Sequence, residues 1–213
     1  WMLPEDYEVN TEIIGEDNNI YLTKKLNNEI VIEKRNVKNG LLIWSQNYES
    51  YYNINLVIDN GFIYFSLVDN NNYTKIYSIN SLTGEINWNV NLGTYTSGDS
   101  KGLKLYLGNN IVMYNSGSSG IYAINRWTGQ IMWQRKNYNF NTSEIIVANN
   151  LVYFAAGKSI TCLTQENGDL VKRVSINQIN AGGNTHLSFD SFNNQLIIFD
   201  VANTSAISAT SLE

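Results

Sequence analysis

Apolar and polar positions alternate in short runs along this chain, most clearly between Ile121 and Trp133. This stretch holds two apolar runs joined by a polar turn that ends in Thr128-Gly129. Two such runs around a turn of this kind predict a β-hairpin. Three further copies follow the pattern: residues 76–88 closely, residues 39–44 over the second half, and residues 160–171 with Val171 at the Trp position.

The copies return at a regular spacing, which indicates a repeat protein. The tryptophans at positions 1, 44, 88 and 133 lie 43, 44 and 45 residues apart. A second turn signal, an Asn-Asn or Asn-Gly pair, occurs at residues 18–19, 60–61, 109–110, 149–150 and 193–194. We therefore predict a single domain, residues 1–213, whose repeats cover roughly residues 11–47, 53–92, 102–137, 143–176, and 185–213 together with 1–4.

Each repeat holds four short apolar runs with short connections between them. Such connections cannot contain a crossover helix, so neighbouring strands must be antiparallel. In residues 121–124 and 151–154 both alternating faces are apolar, which indicates strands covered on both sides. An all-β chain of this kind is predicted to be a β-propeller of about five four-stranded blades. The outermost strands are those that end at Trp44, Trp88 and Trp133.

The two ends of the chain are predicted to complete one blade together. Residues 206–212 align with residues 76–82, so the last repeat stops before its Thr-Gly turn and lacks a fourth strand. Residues 1–3, which begin on a Trp of the repeat, can supply that strand beside the one that ends near Leu212. Pairing of the N- and C-terminal strands would close the ring and cover both exposed edges.

Composition narrows the choice of partners. The net charge is −5 with 14 Lys and Arg residues, and the basic pairs are far apart in sequence, so we expect no nucleic-acid partner. No apolar run approaches the roughly 20 residues of a membrane span. The single Cys162 alternates with Ile160, which predicts a buried thiol and leaves no internal disulfide. The chain begins with Trp1 and not with a signal peptide, which favours a trimmed chain.

The pattern Ile-Tyr-Ala-Ile-Asn-x-x-Thr-Gly-x-Ile-x-Trp resembles the PQQ-like repeat family, the blades of quinoprotein dehydrogenases and of outer-membrane assembly lipoproteins. The resemblance covers the whole chain and implies a propeller. It also implies an extracytoplasmic location, in the periplasm or cell envelope of a bacterium. Members that bind the quinone are larger, with about eight blades, an adjacent Cys pair and a calcium site. This chain has one Cys and fewer repeats, so we expect no cofactor and no dehydrogenase activity.

Two sets of polar residues are candidates for catalysis. His186, Ser188 and Asp190 share one face of a predicted strand, but alternate strand residues lie roughly 6.5 to 7 Å apart, which favours a polar stripe over a triad. Glu12, Glu144 and Asp190 fall on or near innermost strands, where five-bladed glycosidases carry their carboxylates. Hydrolysis would need two of them roughly 5 to 9.5 Å apart.

One stretch is a candidate for calcium. Asp69 is followed by three Asn residues, and such oxygen-rich segments can bind the ion. The stretch lacks the spacing of an EF-hand and the bidentate Glu that ends one. We interpret it as a loop between the second and third strands of its blade, and we expect no metal site.

Aromatic residues concentrate in the links between repeats. Propeller connectivity places these links on one face of the disc, together with the loops at residues 69–73 and 115–120. Tyr mixed with Asn, Ser and Gly is the composition of recognition surfaces, although such rings can also cap the blade cores. The predicted partner-binding residues are Tyr48, Tyr51, Tyr52, Tyr95, Tyr138 and Phe140, with Tyr7 in the first link.

These features favour a non-catalytic binding module whose partner is another protein. Specialised versions are an inhibitor or immunity-type protein, which the acidic pI of about 4.9 would allow, and an envelope-associated scaffold. The alternative is a carbohydrate-binding or glycoside-hydrolysing five-bladed propeller that uses the same aromatic residues as stacking platforms. We expect the binding energy to reside in the aromatic residues and not in Glu12, Glu144 or His186.

Overall fold

The computed structural model describes residues 11–14, 18–50, 52, 54, 56–95, 104–115, 120–136, 144–156, 158–175, 186–200 and 203–208. Every regular element in these ranges is a β-strand, which confirms the all-β prediction. None of the described residues forms a helix long and apolar enough to cross a membrane. The chain divides into two compact units, residues 1–97 with 103–105, and residues 98–102 with 106–213.

The first compact unit contains two antiparallel sheets of four strands, each in chain order. The first sheet consists of β1 (Thr11–Ile14), β2 (Asn19–Leu26), β3 (Glu29–Asn36) and β4 (Leu42–Glu49). The second sheet consists of β5 (Val57–Asp59), β6 (Phe62–Val68), β7 (Tyr73–Asn80) and β8 (Ile86–Thr94).

The second compact unit contains the remaining three sheets, again antiparallel and in chain order, with β9 beginning at the border between the units. The third sheet consists of β9 (Leu105–Leu107), β10 (Ile111–Asn115), β11 (Ile121–Asn125) and β12 (Ile131–Arg135). The fourth consists of β13 (Ile146–Ala148), β14 (Leu151–Ala156), β15 (Ser159–Thr164) and β16 (Leu170–Ser175). The fifth consists of β17 (His186–Asp190), β18 (Gln195–Asp200) and β19 (Asn203–Ser208).

Trp44, Trp88 and Trp133 lie in β4, β8 and β12, each the last strand and an edge of its sheet, as predicted. The prediction that these strands end at the Trp is wrong, since they continue to Glu49, Thr94 and Arg135. Within the described ranges four sheets have four strands and the fifth has three. Residues 1–3 and Leu212, which carry the predicted pairing of the two termini, lie outside the described residues.

The repeated turn owes its geometry to its Asn and its Gly. Asn80 Oδ1 accepts hydrogen bonds from the backbone N–H groups of Leu82 and Thr83, at 2.8 and 3.2 Å, which fixes the turn. Three residues beyond the Gly of each turn, the last strand carries one extra residue, as in a β-bulge. The Gly itself has a positive φ, which other residues adopt at a cost. These glycines have φ between 69° and 76°: Gly40, Gly84, Gly129 and Gly168.

In the first compact unit, Trp44 of the first sheet packs against the β7–β8 turn of the second sheet. Trp44 Nε1 donates a hydrogen bond of 3.1 Å to the carbonyl of Ser81, in the β7–β8 turn. Tyr21 Oη and Lys34 Nζ donate to the same carbonyl, at 3.2 and 3.0 Å. The Trp44 ring lies against Gly84, where an added Cβ would come within 3.0 Å of it. Trp and Gly are therefore two parts of one packing motif.

The second compact unit repeats the motif between its third and fourth sheets. Trp133 Nε1 donates a hydrogen bond of 2.9 Å to the carbonyl of Gln165. Arg135 Nε donates to the carbonyl of Gly168 at 2.7 Å, and Arg135 Nη2 pairs with Asp169 Oδ1 at 2.8 Å. An added Cβ on Gly168 would lie 2.6 Å from the Trp133 ring. The sequence spacing of Trp and Gly thus reflects contact between consecutive sheets.

Apolar cores lie between the sheets of each compact unit. In the second unit, residues 121–124 and 152–154 are all buried, so these strands are covered on both faces, as predicted. The first sheet shows the same arrangement, with Leu22 and Val31 buried on the face opposite Tyr21 and Ile32. Cys162 is buried in a core of the second unit, also as predicted. The core of the first unit consists of Tyr21, Ile30, Ile32, Tyr48, Ile54, Leu56, Ile63, Phe65, Leu67 and Ile79.

Candidate functional site

The β6–β7 loop is organised by the carboxylate of Asp69. Asp69 Oδ1 accepts hydrogen bonds from the N–H groups of Asn71 and Tyr73, at 3.0 and 2.9 Å. Backbone hydrogen bonds from Asp69 to Tyr73 and from Asn72 to Asp69 close the loop. Asn72 has a φ of 63°, a conformation that Asn tolerates better than most residues. The loop therefore has one well-defined conformation.

The second carboxylate oxygen of Asp69 binds Lys75, with Oδ2 and Nζ 2.7 Å apart. Burial of Asp69 favours its neutral form, but the hydrogen bonds from Lys75, Tyr73 and Asn71 outweigh burial and lower its pKa. The hydrogen bond to Asp69 in turn raises the pKa of Lys75. Both carboxylate oxygens are thus engaged within the protein, which supports the interpretation of this stretch as a structural loop and not as a calcium ligand.

The end of β8 is bound to this loop. Tyr95 N donates a hydrogen bond of 2.8 Å to the carbonyl of Asn72, and Asn72 Nδ2 donates one of 3.1 Å to the carbonyl of Tyr95. Tyr95 is buried, whereas Tyr73, at the start of β7, is 40% exposed. The pairing of a link residue with the β6–β7 loop is the arrangement predicted from propeller connectivity.

The link from β4 to β5 reaches the same place. The rings of Tyr52 and Tyr95 have centroids 5.3 Å apart and are tilted by 46°. Ser50 Oγ donates a hydrogen bond of 2.9 Å to the carbonyl of Tyr52, and Ser50 N donates one of 2.9 Å to Asn28 in the β2–β3 turn. Tyr52 is 42% exposed. We call this surface the tyrosine face: Tyr52, Tyr73 and Tyr95 with the loop at residues 69–72.

Tyr48 does not belong to the tyrosine face, contrary to the prediction that placed it in a link. It lies in β4, and its buried ring packs edge-on against Phe65 and Tyr77, with centroids 4.9 and 5.2 Å away. Burial, and then the nearby Tyr77, raise the pKa of Tyr48 to about 12. The physical reason is alternation, because Tyr48 points to the same side of β4 as Trp44, toward the core.

The other predicted partner-binding residues lie outside the described residues: Tyr7, Tyr51, Tyr138 and Phe140. Two of the predicted residues, Tyr52 and Tyr95, therefore belong to the tyrosine face, although Tyr95 is buried. Tyr73 was not predicted as a binding residue; it was only the last residue of a predicted loop.

The predicted polar stripe is observed in β17, and its residues have separate tasks. Asp190 accepts hydrogen bonds from the N–H groups of Phe192 and Asn193 and from Asn193 Nδ2, at 2.9, 3.2 and 2.7 Å. These bonds, led by the one from the Asn193 side chain, lower the pKa of Asp190. Asp190 thus closes the β17–β18 turn, and four residues of extended strand, roughly 13 Å, separate its backbone from that of His186.

Glu144 contacts the other end of the same strand. His186 Nδ1 lies 3.7 Å from Glu144 Oε2, and both side chains are partly exposed. Glu144 and Asp190 therefore lie near opposite ends of β17 and do not form a pair at that strand. Glu12 lies in β1, in the first compact unit. The described part of the second unit gives a glycosidase-type pair no geometric support.

Comparison with known families gave one clear match. A family model described as outer membrane protein assembly factor BamB matches residues 5–209, which is nearly the whole chain. The search of curated proteins gave no significant match.

Several solved structures are similar in fold. The computationally designed Ika8 protein superposes with a TM-score of 0.63 at 14% identity, over 89% of this chain and 64% of its own. BamB from Moraxella catarrhalis superposes with a TM-score of 0.57 at 11% identity, over 92% of this chain and 62% of its own. The designed Ika4 protein superposes with a TM-score of 0.57 at 15% identity, over 74% of this chain and 92% of its own. The chain thus spans less than two thirds of the first two proteins.

Proposed function

The chain belongs to the PQQ-like repeat family typified by outer membrane protein assembly factor BamB, and we propose that it is a non-catalytic scaffold. Its partner is another protein, which binds through the tyrosine face. The observation that carries the proposal is the convergence of four elements at that face: the β2–β3 turn, the β4–β5 link, the β6–β7 loop and the end of β8. Tyr52 and Tyr73 are the exposed rings that they present.

The physical state of the face suits protein recognition. Because Asp69, Lys75 and Asn72 already fix the loop, a partner would order few further groups on binding, and the loss of conformational entropy in the loop would be small. Tyr rings with Asn and Ser neighbours supply contact area and adaptable hydrogen bonds. A sugar platform at this face is less favoured, because Tyr52 and Tyr95 are tilted by 46° and do not present one flat surface.

The family supports the proposed location and the proposed kind of partner. Its described role, assembly of outer membrane proteins, supports a partner in the bacterial cell envelope and an extracytoplasmic location for this chain. An envelope scaffold is therefore favoured over an inhibitor or immunity-type protein. We expect no cofactor and no enzymatic activity.

The same proposal includes a single domain of about five blades, closed by the termini. The fifth sheet has three strands in the described ranges, so one strand is needed to complete it. Deletion of residues 1–4 should remove that strand and clearly lower the melting temperature, because the edge of β19 would be left open. An unchanged melting temperature would contradict closure.

Capture of the envelope partner tests the function. We expect Tyr52→Ala with Tyr73→Ala, or Tyr51→Ala with Tyr52→Ala, to weaken capture from an envelope extract at least about tenfold, because aromatic anchors carry much of the energy of an interface. Circular dichroism and melting temperature should stay close to those of the unaltered protein.

Leu82→Ala is the matched control, since Leu82 is 66% exposed in the β7–β8 turn, at the other end of the same sheet. We expect it to leave capture unchanged, as should Glu144→Ala and His186→Ala. Equal capture by the tyrosine variants and the unaltered protein would overturn the proposal. A glycosidase activity that Glu144→Ala abolishes would also overturn it.

A further inference from the structure

A second aromatic surface lies in the other compact unit, at the β11–β12 turn. Trp127 is 46% exposed there, next to Arg126, which is only 3% exposed. The guanidinium of Arg126 lies over the indole ring, 5.0 Å from its centroid. Arg126 Nη1 also donates a hydrogen bond of 3.2 Å to the carbonyl of Gly108. A buried cation that is itself bound to the backbone thus supports the ring from one side.

The neighbouring β9–β10 turn is held against this platform. Arg126 N donates a hydrogen bond of 2.9 Å to the carbonyl of Asn110, so the two turns are joined by backbone as well as by the guanidinium. The exposed polar residues of the two joined turns carry neutral amide or hydroxyl groups: Asn109, Asn110, Thr128 and Gln130. The platform therefore combines an aromatic ring supported by Arg126 with neutral hydrogen-bonding groups on the same two turns.

The fold does not require a Trp at this position. Asn125 Oδ1 accepts hydrogen bonds from the N–H groups of Trp127 and Thr128, both at 3.0 Å, as Asn80 does for Leu82 and Thr83 in the β7–β8 turn. The equivalent turn positions carry Lys38, Leu82 and Glu166. The same turn forms with a basic, an aliphatic or an acidic side chain, so turn geometry does not explain the half-exposed indole.

The chemistry of the site favours a neutral ligand with one apolar face. Arg126 on one side of the ring disfavours a second cation on the other side, including a quaternary ammonium group. The acidic chain with few basic residues disfavours nucleic acid. On the two turns the exposed polar residues Thr128, Gln130, Asn109 and Asn110 carry neutral groups, which suit the hydroxyl groups of a sugar.

We propose that Trp127 and its two turns form a carbohydrate-binding subsite that takes one neutral pyranose ring of a glycan. A pyranose presents a face of C–H groups, which packs against the negative face of an indole, and an edge of hydroxyl groups, which the amides of Asn109 and Asn110 can bind. Arg126 holds the indole in place, so little side-chain freedom is lost on binding. This site is separate from the tyrosine face and does not depend on the function proposed there.

The indole N–H resonances of the five tryptophans are followed by NMR during titration with cellotriose, maltotriose and N,N′,N″-triacetylchitotriose, all neutral, at millimolar concentrations. We expect one of these sugars to shift the resonance that is missing in Trp127→Leu. Leu is the residue that the β7–β8 turn carries at this position, so the variant should keep its fold and bind the sugar at least about tenfold more weakly. Leu82→Ala should bind as the unaltered protein does.

Three results would overturn the inference. The first is that none of the three sugars shifts the Trp127 resonance. The second is that the sugar binds Trp127→Leu as tightly as the unaltered protein. The third is that only a proline-rich peptide shifts the resonance, which would make the platform a peptide site.

Discussion

Replacing Gly168 with Ala is expected to destabilise the protein by about 2–5 kcal/mol, the sum of backbone strain and overpacking. Gly168 has a φ of 69°, which costs a non-glycine residue energy, and an added Cβ would lie 2.6 and 2.7 Å from atoms of the Trp133 ring. The ring cannot move aside without weakening its hydrogen bond to the carbonyl of Gln165. Urea unfolding, monitored by the change in midpoint, measures the loss.

Gly61→Ala is the matched control for this change. Gly61 has a similar φ of 78°, but the nearest atom to an added Cβ is Ser81 Oγ, at 3.9 Å. The control carries the backbone strain without the clash, so it should cost only about 1–2 kcal/mol. Equal losses for the two variants would show that the contact between Gly168 and Trp133 adds nothing to stability.

Asp69→Ala is expected to have the next largest effect and to lower the free energy of unfolding by about 3 kcal/mol. The change removes two backbone hydrogen bonds to a charged acceptor and the pair with Lys75, and such bonds contribute about 1.5–3 kcal/mol each when buried. The pair with Lys75 is worth less than this, because the Lys75 side chain is 29% exposed and partly screened by solvent. The loss should be accompanied by exposure of the β6–β7 loop to proteolysis.

The effect of Asp69 should depend on pH. Its pKa in the folded protein is lowered from the ordinary value of 3.8, so its contribution is complete above that value and is lost as the pH falls through the folded pKa. The difference in unfolding free energy between the unaltered protein and Asp69→Asn should therefore be constant near neutrality and shrink in acid. A difference that stays constant well below pH 3.8 would contradict the assigned role of the carboxylate.

The periodic features of the fold could be predicted because they are repeated. The Trp positions recur every 43 to 45 residues. Trp44 and Gly84 lie in contact because the first sheet packs against the second. Tyr48 was misplaced although a signal existed: it alternates with Gln46 and Trp44, and a core-facing Trp44 implies a core-facing Tyr48. Tyr52 lies three residues beyond the end of β4, where the alternation of a strand no longer applies.

The details of the two surfaces could not be predicted in the same way. The pairing of Asp69 with Lys75 depends on the path of a loop that occurs in one repeat, and the sequence shows only that both residues are near it. Arg126 and Trp127 occupy positions that vary between the repeats, so nothing in the pattern marks them. Whether two such side chains stack depends on the direction in which the turn orients them. Here the hydrogen bond from Arg126 Nη1 to the carbonyl of Gly108 holds the guanidinium in place.

Site-specific photo-crosslinking can show directly whether a partner binds at the tyrosine face. A photoreactive phenylalanine analogue would replace Tyr52, Tyr73 or Leu82 in turn, in the cells that produce the protein, followed by irradiation and mass spectrometry. We expect one common envelope protein to be crosslinked from positions 52 and 73, and no crosslink to that protein from position 82. Crosslinks from position 82 alone, or from none of the three positions, would contradict binding through the tyrosine face.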